Sequence, residues 1–257
     1  MTMIPLTLTQ FREIQPDLFA ERAGPLVGAH VAVTGHGQAW ADRWPDPRVA
    51  LVETAGNYML DGDPAALVPE DLRPLVRGFV DAPDEFIPGL RAAFPRLGVW
   101  SRVIYTLESD PPPQDPPAGA EVRPLVAGDT PALAELSAES NWISKTWNGP
   151  EGFIASGRAW GAFLDGELVS VSGTFLAGLH YEDLGVATEP DHRGRGLSPA
   201  CTVGLCRAIL ADGRYPCWTT STDNRPSIRV AQKLGFRPLR LDRLFVIGIP
   251  IPPPPDD

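Results

Sequence analysis

The 257-residue sequence has no long apolar run, few cysteines and a deficit of basic charge. No stretch reaches the roughly 18 apolar residues that a membrane span requires, and the first residues lack the basic and apolar regions of a secretion signal. The formal net charge of -10 argues against broad binding to nucleic acid, which needs many Lys and Arg side chains on one face. These features predict a globular protein that binds neither a membrane nor nucleic acid.

The three cysteines, Cys201, Cys206 and Cys217, lie in one stretch without the CxxC spacing of a zinc site. Their odd number also argues against a disulfide framework. The sequence therefore predicts no metal site and a reducing, cytoplasmic setting.

Two proline-rich segments divide the sequence. "SDPPPQDPPAGA" at 109–120 contains five prolines, which cannot join a sheet ladder and favour an extended linker. We predict an N-terminal α/β domain of unknown role over residues 1–109, a linker over 110–120, a second α/β domain over 121–249 and a solvated tail over 250–257. A tail that serves as a PxxP ligand is the alternative.

Beyond the linker, strand and helix patterns alternate regularly. "EVRPLV" predicts a strand, two short helices follow, and "AWGAFLDGELVSVSGTFLAGLHYEDLGVAT" predicts three strands joined by tight turns. A helix from Ser198 to Asp212, a strand "CWTTS", a helix near 226–234 and a final strand complete the pattern. This order predicts a mixed sheet with helices on both faces.

The segment "EPDHRGRGLSPA" at 189–200 places glycines and arginines directly before a helix. Gly194 and Gly196 permit backbone conformations that other residues avoid, and the helix start presents unpaired N–H groups and the positive end of its dipole. Ser198 is a suitable N-cap, and Pro199 suits the first helical position. The loop is therefore predicted to cradle an anion, with a solvated turn as the alternative.

This loop and the later segment "TDNRPSIRVAQKLGF" resemble the GNAT superfamily of acyl-coenzyme A dependent N-acetyltransferases. The two motifs occur in the superfamily's order, and the resemblance covers roughly residues 121–249. It implies a GNAT-like fold for the second domain, while the first domain is either unrelated or a diverged copy without the phosphate loop. The motif positions fall on Arg193, Gly196, Ser198, Asn224, Ser227, Leu234, Gly235 and Phe236.

The resemblance implies that acetyl-CoA is the acyl donor and that its pyrophosphate rests on the loop. The residues themselves indicate the same site, because a helix N-terminus receives phosphate through unpaired N–H groups and its dipole. A backbone N–H near Val186 is implied to bind the thioester carbonyl. Asn224 is implied to contact the coenzyme, and a turn or helix-cap role is the alternative. The implied coenzyme contacts are Val186, Ala187, Thr188, Arg193, Gly194, Arg195, Gly196, Leu197, Ser198 and Asn224.

Amine acetylation needs a proton acceptor, because an amine attacks a thioester only as the neutral base. The resemblance implies a carboxylate on the strand before the loop, which is Glu182 here, and a purely structural carboxylate is the alternative. Asp183 is predicted to lie on the opposite face of that strand. The superfamily's usual tyrosine acid is replaced by Ala231. The alternatives are that Ser227 protonates the leaving thiolate, that water does so, or that no acid is needed, since a thiol with a pKa near 8.5 leaves tolerably as the thiolate.

The segment "ESNWISKTWNGP" at 139–150 lies where relatives shape the acceptor pocket. Asn141, Trp142 and Trp147 are therefore expected to contact the acceptor, with core packing as the alternative for both tryptophans. The implied acceptor is a small-molecule amine or a protein amino group. Two other hypotheses stay open, namely a non-catalytic acyl-CoA binding or regulatory module, which Ala231 favours, and a general anion-binding protein.

Overall fold

A computed structural model describes residues 2–253, which form twelve strands and eight α-helices. No helix in this range is long and apolar enough to cross a membrane. The strands are β1 Ile4–Leu6, β2 Gln38–Ala41, β3 Val49–Thr54, β4 Asn57–Gly62, β5 Gly78–Asp81, β6 Gly98–Thr106, β7 Ala120–Pro124, β8 Ala159–Leu164, β9 Glu167–Ala177, β10 Tyr181–Thr188, β11 Tyr215–Ser221 and β12 Arg237–Ile247. The helices are α1 Leu8–Leu18, α2 Val27–Thr34, α3 Pro69–Leu72, α4 Ile87–Ala93, α5 Thr130–Ala134, α6 Pro150–Ala155, α7 Leu197–Ala211 and α8 Arg225–Lys233, and a 3-10 helix, Asn141–Trp147, connects α5 to α6.

All the strands belong to one sheet, in the order β1-β2-β3-β4-β5-β12-β6-β11-β10-β9-β8-β7. The sheet is mixed, because β4 with β5 and β10 with β11 are parallel while the other neighbours are antiparallel. Apolar clusters pack α3, α4, α7 and α8 on one face and α1, α2, α5 and α6 on the other. This architecture confirms the fold class that the sequence predicts.

The sheet is continuous across the proline-rich linker. Strand β6 precedes the linker in sequence, yet it lies between β11 and β12, which follow the linker. In turn, residues 245–247 of β12 pair with β5. The domain bounds 1–109 and 121–249 stay a prediction, but because strands from the two halves interleave, we expect that neither half folds alone, which a truncated chain can test.

The linker packs along the face of the sheet that α7 and α8 cover. Pro111 is buried, and Asp110 pairs with Arg207 of α7 at 3.1 Å. Farther along, Pro117 lies so close to the glycine-rich loop that a β-carbon added to Gly196 would be 3.9 Å from its Cγ. The linker therefore runs over α7 toward the loop. The predicted tail spans 250–257, and its residues 254–257 lie outside the described residues.

Candidate active site

Strands β10 and β11 pair at one end and separate at the other. Their parallel pairing covers residues 181–184 of β10 and 215–218 of β11. Beyond it, within the described chain, residues 185–188 of β10 pair with β9 only and residues 219–221 of β11 pair with β6 only. The two backbone edges that face each other across this gap lack a ladder partner, so they can donate to and accept from an extended ligand.

The glycine-rich loop lies at the open end of this gap, between β10 and α7. Gly194 and Gly196 adopt left-handed conformations, with φ of 73° and 82°, which glycine tolerates without strain. The side chain of Leu197 is buried, so it anchors the loop to the core. The first N–H groups of α7 have no intrahelical acceptor, and the positive end of the helix dipole lies there. This arrangement can bind a phosphate or pyrophosphate.

Helix α7 begins at Leu197, and its N-cap is Gly196. The prediction that Ser198 is the N-cap was therefore wrong, because the left-handed conformation of Gly196 already ends the loop two residues earlier. Ser198 lies in the first turn instead, and Pro199 follows it there. A proline is tolerated in that turn, since its missing N–H has no acceptor within the helix.

The hydroxyl of Ser198 joins the start of α7 to the end of β10. It lies 2.8 Å from Oγ1 of Thr188, which in turn lies 2.7 Å from Oγ of Ser170 on β9. A hydroxyl group has one donor and two acceptor positions, so Ser198 keeps capacity for a further hydrogen bond. The contact holds the loop in place at the mouth of the gap.

The two arginines of the loop have different surroundings. Arg193 donates through Nε to the carbonyl oxygen of Thr188 at 3.2 Å, and its Nη2 pairs with Glu139 at 2.7 Å. Nη1 of Arg195 lies 3.0 Å from Nδ1 of His192. Both arginines are exposed. Arg193 therefore connects the loop to the segment before Asn141, whereas the charge of Arg195 is not paired with a carboxylate among the described residues.

Glu182 is fully buried, and partners surround its carboxylate. Oε1 lies 2.9 Å from Nη1 of Arg214 and 3.4 Å from Nε of Arg158, while Oε2 accepts from Oγ1 of Thr174. Its register partner is Pro216, within the part of β10 that is paired with β11. Because a base must reach the amine it deprotonates, these contacts argue against Glu182 as the proton acceptor.

Asp183 lies one residue inside the paired part of β10, next to the inner end of the gap and on the other face of β10 from Glu182. Its Oδ1 accepts a 2.8 Å hydrogen bond from Oγ1 of Thr219, the first residue of β11 beyond the pairing with β10. Burial raises the pKa of Asp183 to about 7, although the Thr219 hydrogen bond and the charge of Arg102 oppose this rise. A carboxyl group with this pKa can take up and release a proton near neutral pH.

Asn224 and Ser227 lie at the start of α8. Oδ1 of Asn224 accepts from the N–H of Ser227 at 3.0 Å, so Asn224 is the N-cap of the helix. Oγ of Ser227 accepts a 2.9 Å hydrogen bond from Nε1 of Trp218, and Ala231 is fully buried behind them. The coenzyme contact of Asn224 and the acid role of Ser227 stay predictions.

The predicted acceptor residues divide between the core and the gap. Trp147 is buried: its Nε1 donates to the carbonyl of Thr174 at 2.6 Å, and its ring meets His30 edge-on. Trp142 is partly exposed and so close to the gap that a β-carbon added to Gly185 would be 3.2 Å from its Cζ3. Asn141 is also partly exposed. Of these two tryptophans, Trp142 thus lies nearer to the gap, and Trp147 has the surroundings of a core residue.

Comparisons with known proteins agree with this geometry. A family model described as GNAT acetyltransferase matches residues 114–240. The chain is 42% identical, over 77% of its length and 84% of the relative, to an uncharacterized N-acetyltransferase from the mutA 5' region of Streptomyces virginiae.

Solved structures show the same fold over nearly the whole chain. A GCN5-related N-acetyltransferase-like protein from Streptococcus suis has a TM-score of 0.73 at 18% identity and covers 93% of this chain and 98% of its own. A tandem GNAT protein from the clavulanic acid biosynthesis pathway has a TM-score of 0.59 at 16% identity and covers 97% of this chain and 99% of its own. The similarity therefore includes the half that precedes the linker.

Proposed function

The chain belongs to the GNAT acetyltransferase family, and we propose that it transfers the acetyl group of acetyl-CoA to a primary amine by direct attack in a ternary complex. The observation that carries the proposal is the gap between β10 and β11, with the glycine-rich loop at one end and Asp183 at the other. Along β10, Asp183 precedes Thr188 by about 16 Å, at about 3.3 Å for each residue. An extended pantetheine arm spans such a distance.

The loop has the features of a pyrophosphate site. Beside Gly194, no atom lies within 4 Å of the place where a β-carbon would be, so the backbone there is open to a ligand. We assign the pyrophosphate to the N–H groups of residues 194–198. Of the two loop arginines, Arg193 is held by Glu139, so Arg195 supplies the more available positive charge. The unpaired edge of Val186, Ala187 and Thr188 is assigned to the pantetheine arm, and a backbone N–H near Val186 to the thioester carbonyl.

We assign proton acceptance to Asp183 rather than to Glu182. The amine nitrogen forms a bond to the acetyl carbon, its proton passes to the Asp183 carboxylate, and the carbon–sulfur bond breaks as the thiolate leaves. Asp183 lies at the gap with a pKa near neutrality, while Glu182 is enclosed by Arg158 and Arg214. The donor supplies the activated acetyl group, and the protein positions the amine and removes its proton.

Ser227 is the side chain that we assign to protonation of the thiolate, with water as the alternative. Its oxygen accepts from Nε1 of Trp218, so its own O–H can donate elsewhere. Trp218 is also the last residue of β11 that pairs with β10, which places Ser227 beside the point where the gap opens. A thiol with an ordinary pKa near 8.5 also leaves as the thiolate, so loss of Ser227 should slow the reaction only modestly.

We further propose that the protein acts in the cytoplasm. Cys201, Cys206 and Cys217 are buried as free thiols. Burial raises the pKa of Cys201 to about 12, which keeps the unreactive thiol form. Free cysteines are usual in a reducing compartment.

The test of this function is amine-dependent release of free thiol. Purified protein is mixed with acetyl-CoA and a panel of polyamines, amino acids, aminoglycosides and peptides, and the product is weighed by mass spectrometry. We expect thiol release with at least one class of acceptor and a product heavier by one acetyl group. Calorimetric binding of acetyl-CoA without thiol release for any acceptor would support a non-catalytic module. Equal affinity for ATP, NADP and acetyl-CoA would support a general anion site.

A further inference from the structure

Charged side chains collect on the face of the sheet that carries Asp183, where strands of the two halves interleave. Arg102 lies on β6, Asp242 and Arg240 lie on β12, and Asp81 lies on β5. Arg102 is opposite Asp242 in the β6–β12 register, and such pairs share one face of a sheet. We call this set the junction cluster: Asp81, Arg102, Asp183, Arg240 and Asp242.

The junction cluster reaches the gap through Thr219. The Thr219 hydroxyl donates to Asp183, and the Thr219 carbonyl accepts from Nη2 of Arg102 at 3.0 Å. Strands β10 and β6 flank β11, so their backbones are about 10 Å apart, at about 4.8 Å for each strand. A small molecule at the inner end of the gap can therefore contact the carboxyl group of Asp183 and the guanidinium of Arg102 together.

Arg102 has hydrogen-bonding capacity that the described residues do not use. Its buried Nε has no hydrogen-bond partner there. The guanidinium lies 4.2 Å from the centre of the Trp100 ring, which fixes its plane. Buried polar groups are ordinarily hydrogen-bonded, so this donor is suited to an acceptor oxygen from outside the chain.

The neighbouring carboxylates do not use the Nε donor of Arg102. Asp242, the carboxylate opposite it, lies 3.6 Å from Nη2 of Arg240, a contact too long for a hydrogen bond, and Asp81 pairs with Arg22 at 3.2 Å. Asp183 is the remaining carboxyl group of the junction cluster, and burial favours its neutral form at the lower end of the physiological range. The junction cluster thus presents a proton acceptor and, on the next strand but one, an arginine whose charge interacts with Asp183 and Asp242 but whose Nε makes no hydrogen bond among the described residues.

The segment between α1 and α2 limits the size of a ligand at the junction cluster. A β-carbon added to Gly24 would lie 2.5 Å from Cδ1 of Ile104 and 2.9 Å from Nη2 of Arg240. The segment around Gly24 therefore covers the junction cluster on the side of β12. On the other side, Trp142 lies over β10 near Gly185. Close approaches on both sides favour a small molecule over a folded protein surface.

We propose that the acceptor is a small amine that also carries a carboxylate, with its amine at Asp183 and its carboxylate on Arg102. This inference rests on the proposed function, whose acceptor it defines. Arg102 donates through Nε to the carboxylate, an interaction that the planar guanidinium performs well. Asp183 takes the amine proton as the nitrogen–acetyl bond forms and the carbon–sulfur bond breaks.

The first arm of the test compares acceptors that differ only in the anionic group. Glycine, β-alanine and 4-aminobutyrate are each paired with their primary amides, and 2-aminoethylphosphonate represents another anion. We expect kcat/KM for at least one of the carboxylates to exceed that of its amide by about tenfold or more, since a site built to bind a group rejects analogues that lack it. Preference for the phosphonate over every carboxylate overturns the choice of a carboxylate.

The second arm changes the protein. Arg102→Gln should raise KM for the preferred carboxylate about tenfold or more relative to KM for its amide and leave calorimetric binding of acetyl-CoA intact. Both acceptors are compared at a pH well above 7, because loss of the Arg102 charge also raises the pKa of Asp183. Arg102→Lys should recover part of the affinity, because it restores the charge without the planar fork. Arg237→Gln, at an exposed position on β12, is the matched control. Circular dichroism verifies that each variant is folded.

The outcomes separate this inference from the function it rests on. If no acceptor of any class gives thiol release, the proposed function is overturned and the inference with it. Thiol release with amides and simple amines as fast as with amino acids overturns the inference alone. An Arg102→Gln variant that loses activity equally toward charged and uncharged acceptors also overturns it.

Discussion

His30 on α2 joins the two halves of the chain through both nitrogens of its ring. Nδ1 accepts a 3.0 Å hydrogen bond from the N–H of Ala177 on β9, so the proton of the neutral ring is on Nε2, which donates to the carbonyl oxygen of Thr146 at 2.8 Å. His30 is fully buried. A protonated ring would place a second N–H against the N–H of Ala177, so this site favours neutral histidine.

We expect His30 to make stability depend on pH. Burial lowers the pKa of His30 from 6.5 to about 4, so between these values the unfolded chain binds a proton that the folded chain excludes. The free energy of unfolding should therefore fall as the pH decreases from about 6.5 to about 4, and His30 should contribute about 3 kcal/mol to the change. Urea unfolding of the wild type and His30→Gln over this range measures it.

His30→Gln isolates the contribution of His30 to the pH dependence, because the wild type and the variant share all other titrating groups. The advantage of the wild type over His30→Gln should be largest near pH 7 and shrink by about 3 kcal/mol at pH 4. His180→Gln, at an exposed position, should keep the slope of the wild type. Parallel curves for the wild type and His30→Gln would contradict the assignment.

Truncation tests whether the two halves fold separately. A chain of residues 110–253 lacks β6, so β11 and β12 lose the strand between them, and Glu21 no longer accepts from the N–H groups of Leu179, His180 and Tyr181. We expect this chain not to fold, whereas the full chain should unfold in one cooperative transition. Circular dichroism and limited proteolysis give the measurement. A cooperative transition in the truncated chain would establish the second half as an independent domain.

Paired variants at Asp183 and Glu182 identify the base. Asp183→Asn should lower kcat/KM by about 100-fold or more. In the wild type, kcat/KM should rise as the pH passes through about 7, because the carboxylate form accepts the proton, and this rise should be absent from Asp183→Asn. The acceptor's own ionisation affects both enzymes equally, so their ratio reports Asp183.

Glu182→Gln should act on stability instead. Removing its charge leaves Arg158 and Arg214 without a buried partner, which should cost about 3 kcal/mol, measured by urea unfolding. The folded variant should keep the pH profile of the wild type. Normal kcat in Asp183→Asn together with its loss in Glu182→Gln would return the role of base to Glu182.

Two glycines at opposite ends of α7 provide a matched test of the loop. Gly194 and Gly213 both have φ of 73°, and at neither would a β-carbon meet an atom within 4 Å. Alanine at either position should cost about 1 kcal/mol of stability through left-handed strain. Only Gly194→Ala should weaken acetyl-CoA binding, by about tenfold in calorimetry. Relief of its backbone strain would turn the N–H groups of residues 194–198 away from the proposed pyrophosphate site. Equal affinity in the two variants would remove the loop from the coenzyme site.

Local patterns predicted the elements of the second half well. The turn residues and apolar alternation of β8, β9 and β10 are local signals, and the glycine after each of α7 and α8 ends its helix through a left-handed conformation. The N-cap of α7 was placed two residues too late, because serine is the commoner N-cap and the conformation of Gly196 depends on the loop that precedes it. Trp142 and Trp147 occupy the same 3-10 helix, and sequence alone could not separate the one near the gap from the one in the core.

The sequence by itself determined the family, the order of strands and helices in the second half and the position of the glycine-rich loop, because these depend on neighbouring residues and short spacings. Only the tertiary structure placed β6 between β11 and β12, enclosed Glu182 with arginines and brought Arg102 within reach of the Asp183 carboxyl group. Strand order and burial arise from contacts between residues far apart in the chain. Adjacent acids such as Glu182 and Asp183 acquire different chemistry because alternate side chains of a strand enter different environments.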